Sequence, residues 1–176
     1  LHEHNERNIA PELAQQVLAG RHIALVSDAG TPLVSDPGFV LVDAMFAAGA
    51  RVVAIPGPSA VIAALSICGI ATDRFAFEGF LPSRAKARIE RIRALADEPR
   101  TWVCYESPHR ITASVAELGQ VLGDTRVIAV AKELTKLNEQ VYRGTAEAAL
   151  AWLGADPQRL RGEFVVVVSG APTVPT

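Results

Sequence analysis

The residue pattern predicts an α/β protein whose sheets are mostly parallel and covered by helices on both faces. Three observations carry that expectation. The run His22–Val26 alternates too little for a half-exposed strand and reads as one buried on both faces, and Arg51–Ala54, Thr101–Tyr105, Arg126–Ala131 and Phe164–Val168 read as further strands, Thr101–Tyr105 buried by composition. Segments with apolar residues at helical spacing lie between them. The first two runs, with one helix between, have the spacing of a right-handed parallel crossover unit.

In chain order, Asn8 is placed to cap a helix that carries Ile9, Leu13 and Val17 on one side, holds Pro11 in its first turn and ends at Gly20. The strand His22–Val26 then opens into a loop, Ser27 to Gly38, built from residues chosen singly. Gly30 and Gly38 allow positive φ or close approach, Pro32 and Pro37 fix φ, and Asp28, Thr31, Ser35 and Asp36 can bond nearby main chain. A helix with Val40, Leu41, Ala44 and Met45 closes at Gly49 before the strand at Arg51. The turn Ile55-Pro56-Gly57-Pro58-Ser59-Ala60 follows, with Ser59 at a helix N-cap position. The helix it opens runs through Val61, Ile62 and Leu65 to near Gly69. Loops of this kind at the carboxyl ends of parallel strands are where open α/β sheets place ligands, and two in succession suggest one crevice.

From Ala71 to Pro82 the character changes to an extended, phenylalanine-rich segment. It sets the expected boundary between two lobes, residues 1–74 and 75–176. Phe75, Phe77 and Phe80 are expected in a core in preference to stacking on a base. Ser83 is expected to cap a helix with Ala85, Ile89, Ile92 and Ala96 as its apolar stripe. Arg84, Arg88 and Arg91 lie to one side of the stripe, Lys86 and Arg93 to the other, making this helix the best local candidate for tracking phosphates. The strand Thr101–Tyr105 ends in Glu106-Ser107-Pro108-His109-Arg110, and the helix behind it carries Ile111, Val115, Leu118 and Leu122. The strand from Arg126 ends in Lys132-Glu133-Leu134-Thr135-Lys136. Glu139 to Arg143 reads as an edge hairpin strand, Thr145 begins a helix through Leu150 and Leu153, and Phe164–Val168 is the last strand.

With 49% hydrophobic and 20% charged residues in 176, the chain has the composition of a globular protein with a sizeable core. A net charge of −2 argues against a generally basic nucleic-acid binder and leaves any RNA contact to a local patch. Cys68 and Cys104 sit in apolar runs without metal or redox spacing and are expected as buried, reduced thiols. No run has the length of a membrane span and no leader opens the chain, so a cytoplasmic protein is expected. The opening at Leu1 and the polar run that follows read as those of a fragment, with His2 and His4 solvated and no metal bound. A Walker loop, a Gly-x-Gly-x-x-Gly, a nucleophile elbow and a zinc constellation are all absent from the sequence. Phosphoryl transfer, hydride transfer and metal hydrolysis therefore lose support.

Taken together, Asp-Ala-Gly-Thr-Pro with Ser-Asp-Pro-Gly, then Pro-Gly-Pro-Ser-Ala, Tyr105 to Arg110 and Lys132 to Lys136 resemble the tetrapyrrole methylase superfamily. The resemblance is nearest to its branch acting on small-subunit ribosomal RNA. It implies a two-lobed fold with a cleft that holds S-adenosylmethionine, a 2′-oxygen of a cytidine ribose as acceptor, and a homodimer working on the RNA or the 30S subunit. The family's opening strand and Pro-x-Gly-Asn-Leu loop, and a short carboxyl-terminal extension, have no counterpart here. Two other readings stay open: a porphyrin-type acceptor, and a truncated lobe pair without activity.

By the same resemblance, Asp28, Gly30, Thr31, Val34, Ser59 and Ala60 are expected at the cofactor, with Tyr105, Leu134 and Phe164 as further contacts. In-line methyl transfer rests largely on positioning, and a ribose hydroxyl also profits from a base or a cation beside developing alkoxide. Glu106 and Glu133 are the candidate bases and Lys132 and Lys136 the candidate cations. Arg84, Arg88, Arg91, His109 and Arg110 are expected to face RNA.

Overall fold

The computed structural model describes residues 1, 2 and 4–172 of the 176, and the chain divides into two compact units, Leu1–Ser59 and Ala60–Thr176. The division falls earlier than the expected 74/75 boundary. The helix α3 (Ala60–Ile67) packs against β5 (Phe164–Val168) and so belongs to the second unit's sheet.

In the first unit, α1 (Glu6–Leu18) lies against α2 (Phe39–Ala47) around Ala10, Ala14, Leu41 and Met45. The first helix begins at Glu6 behind Asn5, not at Asn8, which places Pro11 beyond the first turn. Gly38 has no side chain with which to cap α2. Glu6, only 4% exposed, reaches across from α1 and accepts from the Leu41 amide at 3.0 Å, placing a carboxylate on the positive end of the helix. The segments expected as the strands His22–Val26 and Arg51–Ala54 are extended but form no ladder. A strand is held by its neighbour's hydrogen bonds, and among the described residues neither segment has such a neighbour. Val26 and Ile55 are accordingly 80% and 84% exposed.

The second unit is a five-stranded sheet in the order β1-β2-β5-β3-β4, with β1 (Phe75–Phe80), β2 (Thr101–Glu106), β3 (Ile128–Lys132) and β4 (Gln140–Gly144) joining β5. The α/β class holds, but the expected parallel pairing does not. Only β1 and β2 run parallel, while β2·β5, β5·β3 and β3·β4 are antiparallel. The helices α4 (Ala85–Ala94), α5 (Ile111–Leu122) and α6 (Ala146–Gly154) share one core with the sheet, built on Trp102, Cys104, Val130, Val166, Ile92, Ile111 and Leu153. The alternate residues Val103, Ala129, Ala131, Val165 and Val167 are equally buried on the opposite face, where α3 meets β5. Coverage on both faces explains why these strands read as unbroken apolar runs. The buried Cys104 thiol has its pKa pushed far up by desolvation.

Some local expectations shift for physical reasons. Arg84, not Ser83, occupies the N-cap of α4, without a side-chain bond, whereas Thr145 caps α6 by accepting from Ala148 N at 3.2 Å. Because β1 is an edge strand, Phe75 and Phe80 are exposed and only Phe77 is half-buried. Lys132 is the last residue of β3, not the first of the following loop.

Candidate functional site

In the first unit, the loop from Ser27 to Gly38 is held by its own side chains. The Ser27 hydroxyl lies between the Ala29 carbonyl, at 2.8 Å, and the Asp36 carboxylate. Leu33 and Ser35 adopt positive φ, 70° and 59°. Gly38 does so at 135° while buried, where an added Cβ would lie 2.7 Å from Leu33 Cδ1. Only glycine fits there. The Thr31 hydroxyl donates to the Pro58 carbonyl at 2.7 Å, so the two loops singled out in the sequence are bonded to one another within this unit. A cavity of about 210 Å³ opens beside Ser27, Asp28, Pro32 and Asp36. Gly30 has open space where a side chain would be, and Val34 and Ser59 are half-buried.

In the second unit, the carboxyl ends of β1, β2 and β3 and the start of β5 gather at one end of the sheet. The register aligns Glu106, Phe164, Lys132 and Gln140 in one row across β2, β5, β3 and β4. The row brings Tyr105, Glu106, Arg110, Lys132, Glu133, Leu134, Lys136 and Phe164 to that end. Among the described residues four non-glycine residues have positive φ, and the two outside the first unit's loop are Glu133 and Thr135, at 51° and 64°. Backbone held in this region costs on the order of 1–3 kcal/mol per residue and clusters at functional loops. The Glu133 carboxylate fills the space a Cβ at Gly162 would need.

The carboxylates divide by environment. Expected as a base, Glu106 is an internal anchor. Its side chain is inaccessible and accepts from Ser114 Oγ at 2.6 Å, from Ser107 N at 2.7 Å and from the Arg110 guanidinium at 2.8 Å, which leaves no face for a substrate. Glu133 is half-buried and accepts from Glu163 N at 2.9 Å and Lys136 Nζ at 3.1 Å. The backbone bond from Glu163, and after it Lys136, holds its carboxyl below the usual range and weakens it as a base. Lys136 also bonds Glu163 at 2.9 Å, and these partners raise its pKa. Lys132 is withdrawn to 3% exposure, and Phe164, at 2%, turns its ring into the helix-side core. Tyr105 meets Phe77 and Phe80 edge-on, ring centres 5.0 and 5.5 Å away.

The expected RNA-facing arginines separate in the same way. Arg88 is 4% exposed and grips Glu117 through two bonds of 2.5 and 2.8 Å while donating to the Pro82 and Ser83 carbonyls. It joins α4 to α5 and does not face solvent. Arg91 is exposed but tied to Glu78 at 2.5 Å, and Arg110 is tied to Glu106. Arg84 and His109 lie on the surface, as do Lys86 and Arg93. Sequence reasoning missed Ser114, Glu117 and Glu163, the partners that decide these roles. Arg88 and Glu117 stand 29 positions apart, so no local spacing announces the pair. Among the described residues no group of three or more His, Cys, Asp or Glu is arranged to hold a metal ion, and no helix is long and apolar enough to cross a membrane.

Chemically, the first unit presents a main-chain-rich loop that lines a cavity and is bonded to a second such loop, suited to gripping a small group by backbone and shape. The second presents a strained loop with a paired lysine. The family model for Tetrapyrrole (Corrin/Porphyrin) Methylases matches residues 1–150. Ribosomal RNA small subunit methyltransferase I of Xylella fastidiosa (strain Temecula1) is 49% identical over 171 residues, 97% of this chain and 63% of that protein. The protein of the same name from Escherichia coli O157:H7 is 46% identical over 170 residues, 97% of this chain and 59% of that protein. The chain thus spans about three fifths of the length of the curated relatives it matches. Among solved structures, the methyltransferase CobJ superposes with a TM-score of 0.63 at 21% identity, covering 97% of this chain and 74% of that one. Uroporphyrin-III C-methyl transferase from Thermus thermophilus, complexed with S-adenyl homocysteine, gives 0.58 at 19% identity, covering 92% of this chain and 72% of that one. At such identities the likeness is one of fold.

Proposed function

The chain belongs to the tetrapyrrole (corrin/porphyrin) methylase family, and from that premise we propose that it is the larger part of an S-adenosylmethionine-dependent methyltransferase acting on the 2′-oxygen of a cytidine ribose in small-subunit ribosomal RNA. The observation that carries the donor half of the reading is the Thr31–Pro58 bond, which ties two main-chain-rich loops together, the first of them lining a cavity of about 210 Å³ at Ser27, Asp28, Pro32 and Asp36. The residues fit such a donor. Gly30 leaves its backbone approachable, and Asp28, Thr31, Val34 and Ser59 stand on the same two loops. These residues of the first unit would hold the donor. When bound, the sulfonium supplies an activated methyl group with a good leaving group already attached.

What this chain's own residues add is position. The bonded loops exclude alternative placements of the donor, and the strained Glu133–Lys136 loop sets a cation, Lys136, at the end of the sheet. A Glu133 carboxyl held below its ordinary range accepts a proton poorly. Orientation and charge, more than base strength, therefore carry the acceptor side. The RNA acceptor is supported by relatives at 46–49% identity that bear that name, and by the exposed cations Arg84, Lys86, Arg93 and His109. A homodimer is supported by the apolar side chains that α2 leaves in solvent, Phe39 at 71% and Phe46 at 66% exposure.

The test is calorimetry of this chain with S-adenosylhomocysteine, beside labelled-methyl transfer by the full-length protein to small-subunit RNA and to a uroporphyrinogen-type ring. Saturable binding that Thr31→Arg abolishes, with label in RNA alone, is the expected result. A flat titration removes the donor site from this chain, and label in the ring alone replaces the acceptor.

A further inference from the structure

At the end of the second unit's sheet opposite Glu106 and Lys132 there is a cavity of about 500 Å³, within the size range of ligand sites. It is lined by the residues that enter β1, β2 and β3 and leave β4 and β5, among them Arg74, Arg100, Thr101, Arg143 and Gly170. The methyl-transfer reading uses none of them. A six-residue strand such as β2 separates the two sheet ends by roughly 20 Å.

Its charge runs against that of the chain. The protein carries a formal net charge of −2, yet among the described residues three arginines line this cavity against a single acidic residue, Asp73. Glu98 lies close by but is committed to Arg100, which it binds at 2.7 and 2.9 Å. Arg74 and Arg143 are exposed. The Arg143 side chain lies over Gly69, where an added Cβ would sit 3.4 Å from its Cδ, so its stem rests on a residue that itself lines the cavity. Behind the lining, Arg126 is 8% exposed and donates to the Ser169 and Ala96 carbonyls; among the described residues no carboxylate forms an ion pair with it, Asp97 acting on it only at longer range. A further positive charge therefore stands beneath the site, and its burial lowers its pKa.

The two exposed arginines enter from opposite edges of the sheet. Arg74 leads into β1 and Arg143 lies in β4, four strand spacings away, or roughly 19 Å at the usual separation. An extended chain of phosphates matches that separation between the two strands.

We propose that this cavity docks the phosphodiester backbone of a single-stranded RNA segment, holding the substrate at a point removed from the methylated ribose. The proposal rests on the RNA-acceptor reading and adds a second place of contact. Phosphate contacts of this kind position a strand without reading its bases.

The experiment measures binding of a labelled single-stranded RNA oligonucleotide to this chain by fluorescence anisotropy over a range of salt, for the wild type and for Arg74→Ala, Arg143→Ala and the double variant. Cytidine monophosphate serves as competitor, and circular dichroism checks the fold. Each arginine removed is expected to flatten the slope of log K against log salt by about 0.7, and the double variant to bind roughly tenfold more weakly at moderate salt. Cytidine monophosphate is expected to compete poorly. Unchanged affinity and slope in the double variant overturn the proposal, as does a wild-type chain that binds no RNA, while saturable S-adenosylhomocysteine binding keeps the donor site in either case. Competition by cytidine monophosphate at the oligonucleotide's own affinity overturns the strand in favour of a free nucleotide. Arginine-dependent RNA binding alongside a flat S-adenosylhomocysteine titration upholds the cavity and removes the donor site instead.

Discussion

The hydroxyl of Thr31 and the carbonyl of Pro58 meet at 2.7 Å, across 27 positions of sequence. A proline carbonyl keeps both lone pairs for such a donor, and threonine is among the smallest side chains that can reach it from a turn. The bond joins two loops that chain connectivity leaves separate.

Thr31→Val keeps the shape and removes the donor. A net hydrogen bond is worth about 1 kcal/mol, so the affinity for S-adenosylhomocysteine is expected to fall about fivefold with the fold unchanged. Calorimetry beside a thermal melt checks both halves. Wild-type affinity in Thr31→Val separates the tie from binding.

Arg88 and Glu117 form a nearly buried bidentate pair, at 4% and 13% side-chain exposure. Arg88→Ala leaves Glu117 without its partner and is expected to destabilise the chain by about 3 kcal/mol. Arg88→Met with Glu117→Leu recovers most of that. Denaturant unfolding measures the change. RNA affinity at matched folded fraction stays constant, because the guanidinium does not face solvent.

Ser114→Ala deprives the buried Glu106 carboxylate of one of its three partners. A loss of about 1–3 kcal/mol is expected. The Ser107–Arg110 loop, which Glu106 holds, is expected to lose amide-exchange protection ahead of the sheet. Uniform loss across the unit would deny Glu106 its anchoring role.

Glu98 has its pKa lowered to about 2, chiefly by the side-chain bond from Arg100 and then by its backbone amide. A lowered carboxylate stabilises the folded state above its unfolded value, near 4.5, and that contribution is lost as pH falls toward 2. Glu98→Gln is therefore expected to flatten the acid limb of unfolding between those values and to leave the profile above pH 5 parallel to wild type. Equilibrium unfolding across that range decides. A variant as acid-sensitive as the parent would place the sensitivity elsewhere.

The sequence makes the helices legible because α2, α5 and α6 need only their own spacing. The strands that became β2, β3 and β5 are legible because both faces are covered. Pairing direction is not legible. The run Phe164–Val168 has the same composition whether its neighbours run with it or against it, and only the sheet order makes it antiparallel to β2 and β3. His22–Val26 and Arg51–Ala54 carry strand composition, but a ladder needs a second strand that no residue in those runs can announce. At the site, Thr31 and the loop after Lys132 stand out through glycine, proline and the residue types around them. The fate of Glu106 and Arg88 turns on Ser114 and Glu117, both on α5, whose sequence reads as ordinary.

The position of β5 carries a consequence for synthesis. Among the described residues the latest strand in chain order is the middle one of the sheet, so the parallel pair β1 with β2 and the antiparallel pair β3 with β4 emerge before Phe164–Val168 arrives to join them. Such late, long-range closure slows folding and leaves two apolar strand edges bare in the nascent chain. A stop a few codons before Phe164 would release a polypeptide whose second unit keeps both strand pairs and lacks the strand that joins them.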